Sequence, residues 1–263
     1  MISCRLKGGL GNQLFQIATT YALSLTHRVP CGFDLNDNTL PLQGNPAYKY
    51  DRDLYLTLPK IKLTDYNFTP YKEKRWEYTP IKFTDNIILD GYFQSPKYFD
   101  RYKNNIIELF LNSDVVYGIL NRLRDNYTVE LYHSVSLHIR RGDYLRFPNH
   151  HPQPHTGYYM TAVQEIRKQR DVRCILVFSD DIAWCKKELR SSEIRFVEGL
   201  QDYEDMLLMS LCNANVISNS SFSWWASYLN QNADKIVYAP KTWFGKAVKH
   251  GWQDIYTPDM IIR

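Results

Sequence analysis

Three segments carry residue types that could do chemistry. The first is His138-Ile139-Arg140-Arg141-Gly142-Asp143, directly after the apolar run Val135–Leu137. Two arginines leaving the carboxyl end of a buried strand stand where open α/β sheets hold their ligands. Guanidinium groups there can grip phosphate oxygens through paired, charge-assisted hydrogen bonds. A structural reading stands beside it, in which an arginine pairs with Asp143 and stitches the turn. The second segment is Asn219-Ser220-Ser221-Phe222-Ser223-Trp224-Trp225, between a strand pattern and a helix pattern. Small hydroxyl residues at a helix start leave backbone N–H groups to meet an anion, or Ser220 or Ser221 simply caps the helix. Trp224 and Trp225 read as core. The third is Gly8-Gly9-Leu10-Gly11-Asn12, which follows a strand and opens a helix as a phosphate-cradling loop does. It lacks the full G-x-G-x-x-G spacing and the Walker lysine–hydroxyl pair.

Carboxylates and imidazoles supply further candidates. Asp180 and Asp181 follow a strand ending at Phe178. They suit a metal-bridged diphosphate or, as the default, the start of the next helix. Asp205, within Asp202-Tyr203-Glu204-Asp205, precedes an apolar helix and reads first as a cap; a carboxylate there can also accept the N1–H and amine of guanine. His150, His151 and His155 share a proline-broken segment without the helical spacing or the cysteine and carboxylate company of a metal site. They are expected on a loop, and no metal is expected.

The elements that must position these residues follow from periodicity. Ile2–Lys7 reads as a strand, and Leu14, Ile17, Ala18, Tyr21, Ala22 and Leu25 recur at helical spacing. A strand is expected at 29–35, an irregular stretch from 36 to 83, a strand at 87–89, and helices at 96–110 and 113–126. Beyond that the pattern alternates: strands at 135–139, 174–178, 194–197, 215–217 and 236–238, with helices at 158–170, 182–189, 203–211 and 222–229. Repeated βα units with short apolar strands predict a doubly wound parallel sheet, with ligands at the carboxyl ends of its strands. Two Rossmann-like lobes facing a cleft are expected, divided near residue 130 into 1–130 and 131–263.

Composition narrows the function classes. The chain has 263 residues, 44% hydrophobic and 23% charged, which is globular rather than disordered. A net charge of +4 is too mild for a nucleic-acid binder without a basic patch. Twenty Tyr, twelve Phe and six Trp suit core packing and stacking on flat ligand faces such as sugars. Five cysteines without a C-x-x-C pair point to a reducing compartment. No signal-peptide or membrane-spanning pattern is visible, so a soluble cytoplasmic protein is expected, with peripheral membrane contact through its basic surface left open.

Taken together, these segments resemble glycosyltransferase family 11, the α-1,2-fucosyltransferases. The resemblance rests on GGLGNQLFQIA (Gly8–Ala18), GYFQSPKYF (Gly91–Phe99), HIRRGDY (His138–Tyr144) and FSDDIAWCK (Phe178–Lys186). It continues in DMLLMSLCNANVISNSSFSWWASYLN (Asp205–Asn230) and KIVYAPKTWF (Lys235–Phe244). It implies a GT-B fold with an acceptor-side lobe at 1–130 and a donor lobe at 131–263. It implies inverting, metal-independent transfer of fucose from GDP-β-L-fucose to O2 of a terminal galactose of a glycan. By the same resemblance Arg140 holds the diphosphate with Arg141 in support, and His138 and Asp205 lie at the guanosine. Gly9, Leu10, Gly11 and Asn12 meet the phosphates from one lobe, and Ser220, Ser221, Phe222 and Ser223 from the other. Asp180 is a ribose or turn-stabilising residue. The base is not named: Asp143 is the nearest carboxylate, equally suited to pair with Arg141, and His150 or His155 is a second choice. Transfer in another linkage (α-1,6 or protein O-fucosyl), or non-catalytic binding of a GDP-sugar or glycan, remains the alternative.

Overall fold

The computed structural model describes residues 1–37, 44–249 and 251–263; residues 38–43, within the stretch expected to be irregular, and residue 250 lie outside the described residues. The chain divides into two compact units, Met1–Gly118 with His250–Tyr256, and Ile119–Lys249 with Thr257–Arg263. The cut expected near residue 130 gives each unit one continuous stretch of chain. The division found here lies earlier, and it returns a C-terminal segment to the first unit. Asp254 anchors that return: its carboxylate accepts from the Tyr78 N–H at 2.9 Å and from Lys97 Nζ at 2.5 Å, and its carbonyl from Ser95 Oγ at 3.1 Å. Hydrophobic periodicity holds no signal of such a long-range tie.

In the first unit, β1 (Ile2–Cys4) leads through the glycine turn into α1 (Leu10–His27). The strands β2 (Thr69–Lys72) and β3 (Ile87–Asp90) complete a parallel sheet of order β1-β3-β2. The strand expected at 29–35 forms only two isolated bridges, Ile2 with Cys31 and Phe33 with Lys60. Pro30 brings no N–H to a ladder, so the segment follows β1 without becoming a strand. The region 36–83 is irregular where described, apart from short 3₁₀ turns and β2. It is also packed, since Tyr50, Leu54, Tyr55 and Leu58 are buried. Pro70 hides β2 from a sequence reading, and β2 tolerates it as an edge strand. The helix expected at 96–110 is two 3₁₀ turns followed by α2 (Lys103–Leu111).

The helix α3 (Asp114–Asn126) and the short α4 (Thr128–Leu131) precede the second sheet. There β4 (Ser134–Ile139), α5 (Thr156–Arg167), β5 (Cys174–Ser179), α6 (Ile182–Glu188) and β6 (Ile194–Phe196) follow one another. Next come α7 (Asp202–Leu211), β7 (Ala214–Val216), α8 (Ser221–Leu229), β8 (Ile236–Ala239) and β9 (Met260–Ile262). Every strand pair is parallel, in the order β6-β5-β4-β7-β8-β9. The chain winds outward from β4 through β5 and β6, then builds the other side through β7, β8 and β9. The order reverses between β4 and β7, the point at which doubly wound sheets open a crevice. Among the described helices and strands of the second unit, α4 and β9 have no counterpart among the expected elements. Each is too short to show a period.

Strand β4 is buried along its whole length, yet its residues alternate. Val135, Leu137 and Ile139 enter an apolar cluster with Val163 and Ile166 of α5. On the opposite face Ser136 Oγ accepts from Asn215 Nδ2 at 2.7 Å, and that same amide donates to the Met209 carbonyl at 2.8 Å. Asn230 Nδ2 in turn donates to Asn215 Oδ1 at 2.8 Å. A fully buried amide thus ties β4, α7, β7 and the end of α8 together. Among the described residues no helix is long and apolar enough to cross a membrane. Because Asn215→Ala removes three buried hydrogen bonds, it should lower the unfolding free energy by about 2–4 kcal/mol. Urea denaturation followed by circular dichroism checks this, and a loss below about 0.5 kcal/mol, the surface-substitution level, would refute it.

Candidate active site

The turn after β4 begins at the switch point of the second sheet. Arg140 emerges between two carboxylates, with Nη2 at 2.6 Å from Asp143 Oδ1 and Nη1 at 3.1 Å from Asp180 Oδ2. Burial works against its charge, and the carboxylates of Asp180 and Asp143 more than offset that, so its pKa is raised. Arg141 turns the other way. Its Nε meets Asp181 Oδ2 at 3.0 Å, and its guanidinium lies 3.7 Å from the centre of the Trp184 ring. The pairing foreseen between Asp143 and Arg141 is therefore made with Arg140. Asp180 stabilises the turn as well, accepting from the Arg141 N–H at 2.8 Å. A Cβ at Gly142 would stand 2.4 Å from Asp180 Oδ2, so this close approach requires glycine. Asp181 is the helix cap of the default reading, accepting from the Trp184 N–H of α6 at 3.2 Å.

Across the switch point, β7 runs into Ile217-Ser218-Asn219-Ser220 and then α8. His138 is buried on β4, with Nδ1 hydrogen-bonded to Ser218 Oγ at 3.0 Å and its ring 5.4 Å from that of Phe222. Burial first, and the Arg140 charge second, push its pKa down to about 3, so the imidazole is neutral. Ser220 caps α8, accepting from the Phe222 N–H at 3.3 Å. Ser223 is fully buried, and its hydroxyl donates to the Ser220 carbonyl at 3.4 Å. Ser221 opens the helix. Trp224 and Trp225 are core residues.

Three residues absent from the expected set belong to this group, and one of them, Tyr144, joins the two turns. Tyr144 donates its hydroxyl to the Asn219 carbonyl at 3.2 Å and is hydrogen-bonded to Ser220. Its ring lies 5.4 Å from the Arg140 guanidinium, and burial pushes its pKa up to about 12. His151 stacks on Tyr144 at 4.1 Å, and burial lowers its pKa. Trp184 backs Arg141. The structure therefore brings His151 to this group, whereas His150 is exposed and His155 caps α5 through Nδ1, accepting from the Gly157 N–H at 3.0 Å. Tyr144 closes the HIRRGDY segment and Trp184 lies in FSDDIAWCK, which are the signals that could have found them; His151 stood among the loop histidines with nothing to set it apart from His150 and His155.

Asp205 lies in the first turn of α7, beyond the capping box of Gln201 and Glu204 that does the work first suspected of it. Its Oδ1 is buried and meets no hydrogen-bond partner. Among the described residues no three His, Cys, Asp or Glu side chains gather as metal ligands.

The first unit presents the glycine turn separately. Gly8 is left-handed at φ +77°, where a Cβ would meet Asn12 Nδ2 at 2.4 Å. Gly9 precedes α1 without a side-chain cap, and Leu10 and Gly11 are buried in its first turn. Asn12 Oδ1 accepts from Gln94 Nε2 at 2.7 Å. Two buried glutamines that sequence reasoning passed over hold the turn in shape. Gln13 donates to the Gly8 carbonyl at 3.0 Å and accepts from the Tyr55 hydroxyl at 3.1 Å. Gln16 accepts from the Lys7 N–H at 3.0 Å and donates to the Lys7 carbonyl at 3.1 Å.

A six-stranded parallel sheet in this order, with a cationic turn and a helix start at its switch point, defines a doubly wound α/β unit whose crevice lies at that point. The fold is GT-B: the chain superposes on the fucosyltransferase NodZ from Bradyrhizobium with a TM-score of 0.55 at 13% identity, covering 86% of this chain and 91% of that one. The sequence matches the Glycosyl transferase family 11 profile over residues 1–262, and the chain belongs to that family of glycosyltransferases. It is 30% identical to an alpha-1,2-colitosyltransferase of Escherichia coli, over 93% of this chain and 92% of that protein. It is 28% identical to the galactoside 2-alpha-L-fucosyltransferase Sec1 of Mus musculus, over 87% of this chain and 64% of that protein.

The electrostatics of Asp205 yield a prediction. Burial, then Asp202 and Glu204, push its pKa up to about 7. A carboxyl whose folded pKa exceeds its unfolded value stabilises fully below the unfolded value, near 3.8, and loses that contribution as pH rises through the folded one. Between pH 5 and pH 8 the wild type should therefore lose stability relative to Asp205→Asn. Paired urea titrations at the two pH values measure this, and parallel curves would contradict it.

Proposed function

We propose that the protein is an inverting α-1,2-fucosyltransferase, moving L-fucose from GDP-β-L-fucose to O2 of a terminal galactose of a glycan. The observation that carries the proposal is Arg140, a charged guanidinium held between two carboxylates at the switch point of a doubly wound sheet. The α-1,2 linkage appears in the names of family relatives. The donor is supported by a NodZ structure obtained after soaking with GDP-fucose. The colitosyltransferase relative favours one variation, a colitose donor, which the same assay tests.

Departure of GDP builds negative charge on the β-phosphate while the sugar ring becomes cationic. Preorganised positive groups stabilise that charge best when they need no reorganisation as it forms. Arg140 takes this role, with Arg141 in support and the N–H groups of Ser221 and Ser223 at the start of α8 assigned to the phosphates, while that of Phe222 is held by Ser220 Oγ. Gly9, Leu10, Gly11 and Asn12 carry the same assignment for the turn of the first unit. His138, neutral and fixed by Ser218, is assigned to the guanosine. Asp205, whose Oδ1 has no hydrogen-bond partner, is assigned to the N–H edge of guanine. Asp180, which accepts the Arg141 N–H in the turn, keeps its assignment to the turn or to the ribose. Asp143 forms the catalytic pair with Arg140, and its side chain is 59% exposed, so it can be reached by an acceptor.

Arg140→Ala should lower kcat by about 10²-fold or more, the scale of losing one major donor to developing charge. Asp205→Ala should chiefly raise the Kd for GDP. Turnover of GDP-fucose with lactose, and NMR analysis of the product linkage, checks the proposal; normal turnover by Arg140→Ala, or a product not linked at O2, overturns it. GDP binding without turnover of either donor would identify a non-catalytic binder. Asp143→Asn separates two roles: loss of a base costs about 10²–10⁴-fold and abolishes the acidic limb of the pH–rate profile, whereas loss of an Arg140 contact leaves the limb in place.

A further inference from the structure

The first unit holds a cavity that the donor chemistry leaves unused. Its volume is about 320 Å³, at the small end of ligand sites. It is lined by the chain leaving the carboxyl ends of all three strands of the first sheet, the edge at which open parallel sheets hold ligands. Lys72 ends β2 and leads into Lys74 and Arg75, Asp90 ends β3, and Lys7 follows β1. Four cations, Lys7, Lys72, Lys74 and Arg75, thus face two carboxylates, Glu73 and Asp90, a surplus of two positive charges.

The carboxylates are already engaged. Asp90 Oδ1 meets Lys7 Nζ at 2.6 Å. Both oxygens of Glu73 accept backbone N–H groups, from Tyr92 at 2.6 Å and from Phe93 at 3.0 Å. Arg75 Nη1 meets Glu77 Oε1 at 2.8 Å. Lys72 and Lys74 are exposed, and among the described residues neither forms an ion pair. Edge strands commonly carry lysine to keep other strands from pairing with them. That accounts for Lys72, but not for Lys74 and Arg75, which lie past the end of β2, nor for Lys7, which leaves the opposite edge of the sheet.

The wall that carries Tyr92 is held in shape. Phe93 adopts φ +50°, a left-handed conformation uncommon for a bulky residue, and Glu73 fixes it through the Phe93 N–H. Strain of this kind persists only where the surroundings over-determine it, and it clusters at ligand sites. The Trp76 and Tyr92 rings are parallel to within 5°, with centroids 5.8 Å apart, and Lys7 Nζ stands 5.2 Å from the centre of the Tyr92 ring. Apolar rings beside charges of one sign make a low-dielectric wall, which strengthens the field in the cleft.

We propose that this cavity is an anion site that takes a phosphate group, carried by a free diphosphate or by a lipid headgroup. A phosphate offers several oxygens that accept from ammonium and guanidinium groups at once, whereas a carboxylate offers two. Lys72 and Lys74 supply the unpaired charge, and Arg75, with a side chain 67% exposed, can exchange Glu77 for the anion. A neutral ligand would leave the surplus charge uncompensated, and a cation would add to it. The assignment involves the first unit alone and does not depend on the donor chemistry proposed above.

The test titrates inorganic pyrophosphate into protein already saturated with GDP, so that the Arg140 site is occupied. Calorimetry at about 0.1 M salt, where the screening length is ~10 Å, should record binding. Lys72→Ala/Lys74→Ala should weaken it by about tenfold or more, the scale of losing a charged hydrogen bond. Lys187→Ala/Lys241→Ala, which removes the same charge from exposed positions of the second unit, should leave it within about twofold. Both double variants should keep the wild-type melting temperature and Kd for GDP, which reports an intact fold. Cosedimentation with vesicles identifies the carrier of the phosphate. Binding to mixed phosphatidylcholine and phosphatidylglycerol vesicles, absent with phosphatidylcholine alone and lost in Lys72→Ala/Lys74→Ala, assigns a lipid headgroup. Pyrophosphate binding without vesicle binding assigns a free diphosphate. Binding of neither probe, pyrophosphate binding that GDP abolishes, or affinities that Lys72→Ala/Lys74→Ala changes no more than Lys187→Ala/Lys241→Ala does would overturn the site.

Discussion

The Arg140 guanidinium, gripped by Asp143 and Asp180 at the carboxyl edge of the second sheet, is the interaction on which the site depends. A partly buried cation costs several kcal/mol of hydration unless opposite charge and hydrogen bonds replace it. Two carboxylates supply that replacement, one from the same turn and one from the end of β5. Asp180 does more than neutralise. By accepting the Arg141 N–H it sets the backbone of the turn, and by approaching Gly142 it restricts that position to glycine. The direction of Arg140 is thus inherited from the parallel register of β4 with β5, which places Ile139 opposite Ser179. A change in that pairing would move the cation away from the switch point without touching it.

Arg141 shows how adjacent identical side chains are given different work. It leaves the strand on the side of α6, where Asp181 and the Trp184 face receive it, and its charge is spent holding that helix start against the turn. Arg140 keeps a third of its side-chain surface exposed, whereas Arg141 keeps less than a fifth. A cation that meets substrate must be exchangeable, and a pair whose partners are reachable by solvent exchanges more readily than one capped by an indole. The division of labour is therefore one of accessibility rather than of charge.

The second unit was largely legible in the sequence. Each buried strand is a short apolar run next to a helix of regular period, and such βα units leave few alternatives for the sheet. Strands whose stability comes from elsewhere did not show: β2 contains Pro70, and β9 is three residues placed by a chain that first visits the other unit. The site followed the same rule. Arg140, Asp143, His138 and Ser220 stand in one turn or the other, and their types advertise them. Tyr144 matters because it spans the two turns, with His151 stacked on it, and spanning is a property of tertiary packing that no local window contains. Gln13 and Gln16 were hidden because amides within an amphipathic helix read as its solvent face; here both are buried and spend their hydrogen bonds on the backbone of the preceding turn.

The serines at the start of α8 bear on what the proposed anion-facing surface is made of. A run of hydroxyl residues suggests a clamp of side chains, but Ser220 caps its own helix and contacts Tyr144, and Ser223 donates back to the Ser220 carbonyl. What such hydroxyls contribute is rigidity. They hold the first turn in one conformation so that its backbone N–H groups and the positive end of the helix point in a fixed direction. A hydroxyl that rotates toward a phosphate loses entropy on binding; an unengaged backbone donor in a turn that a cap has already fixed does not. For stabilising charge that appears only at the transition state, the fixed donor is the better device, because no reorganisation is needed at the moment the charge forms. The small, polar composition of Ser220–Ser223 is therefore explained by capping and close packing.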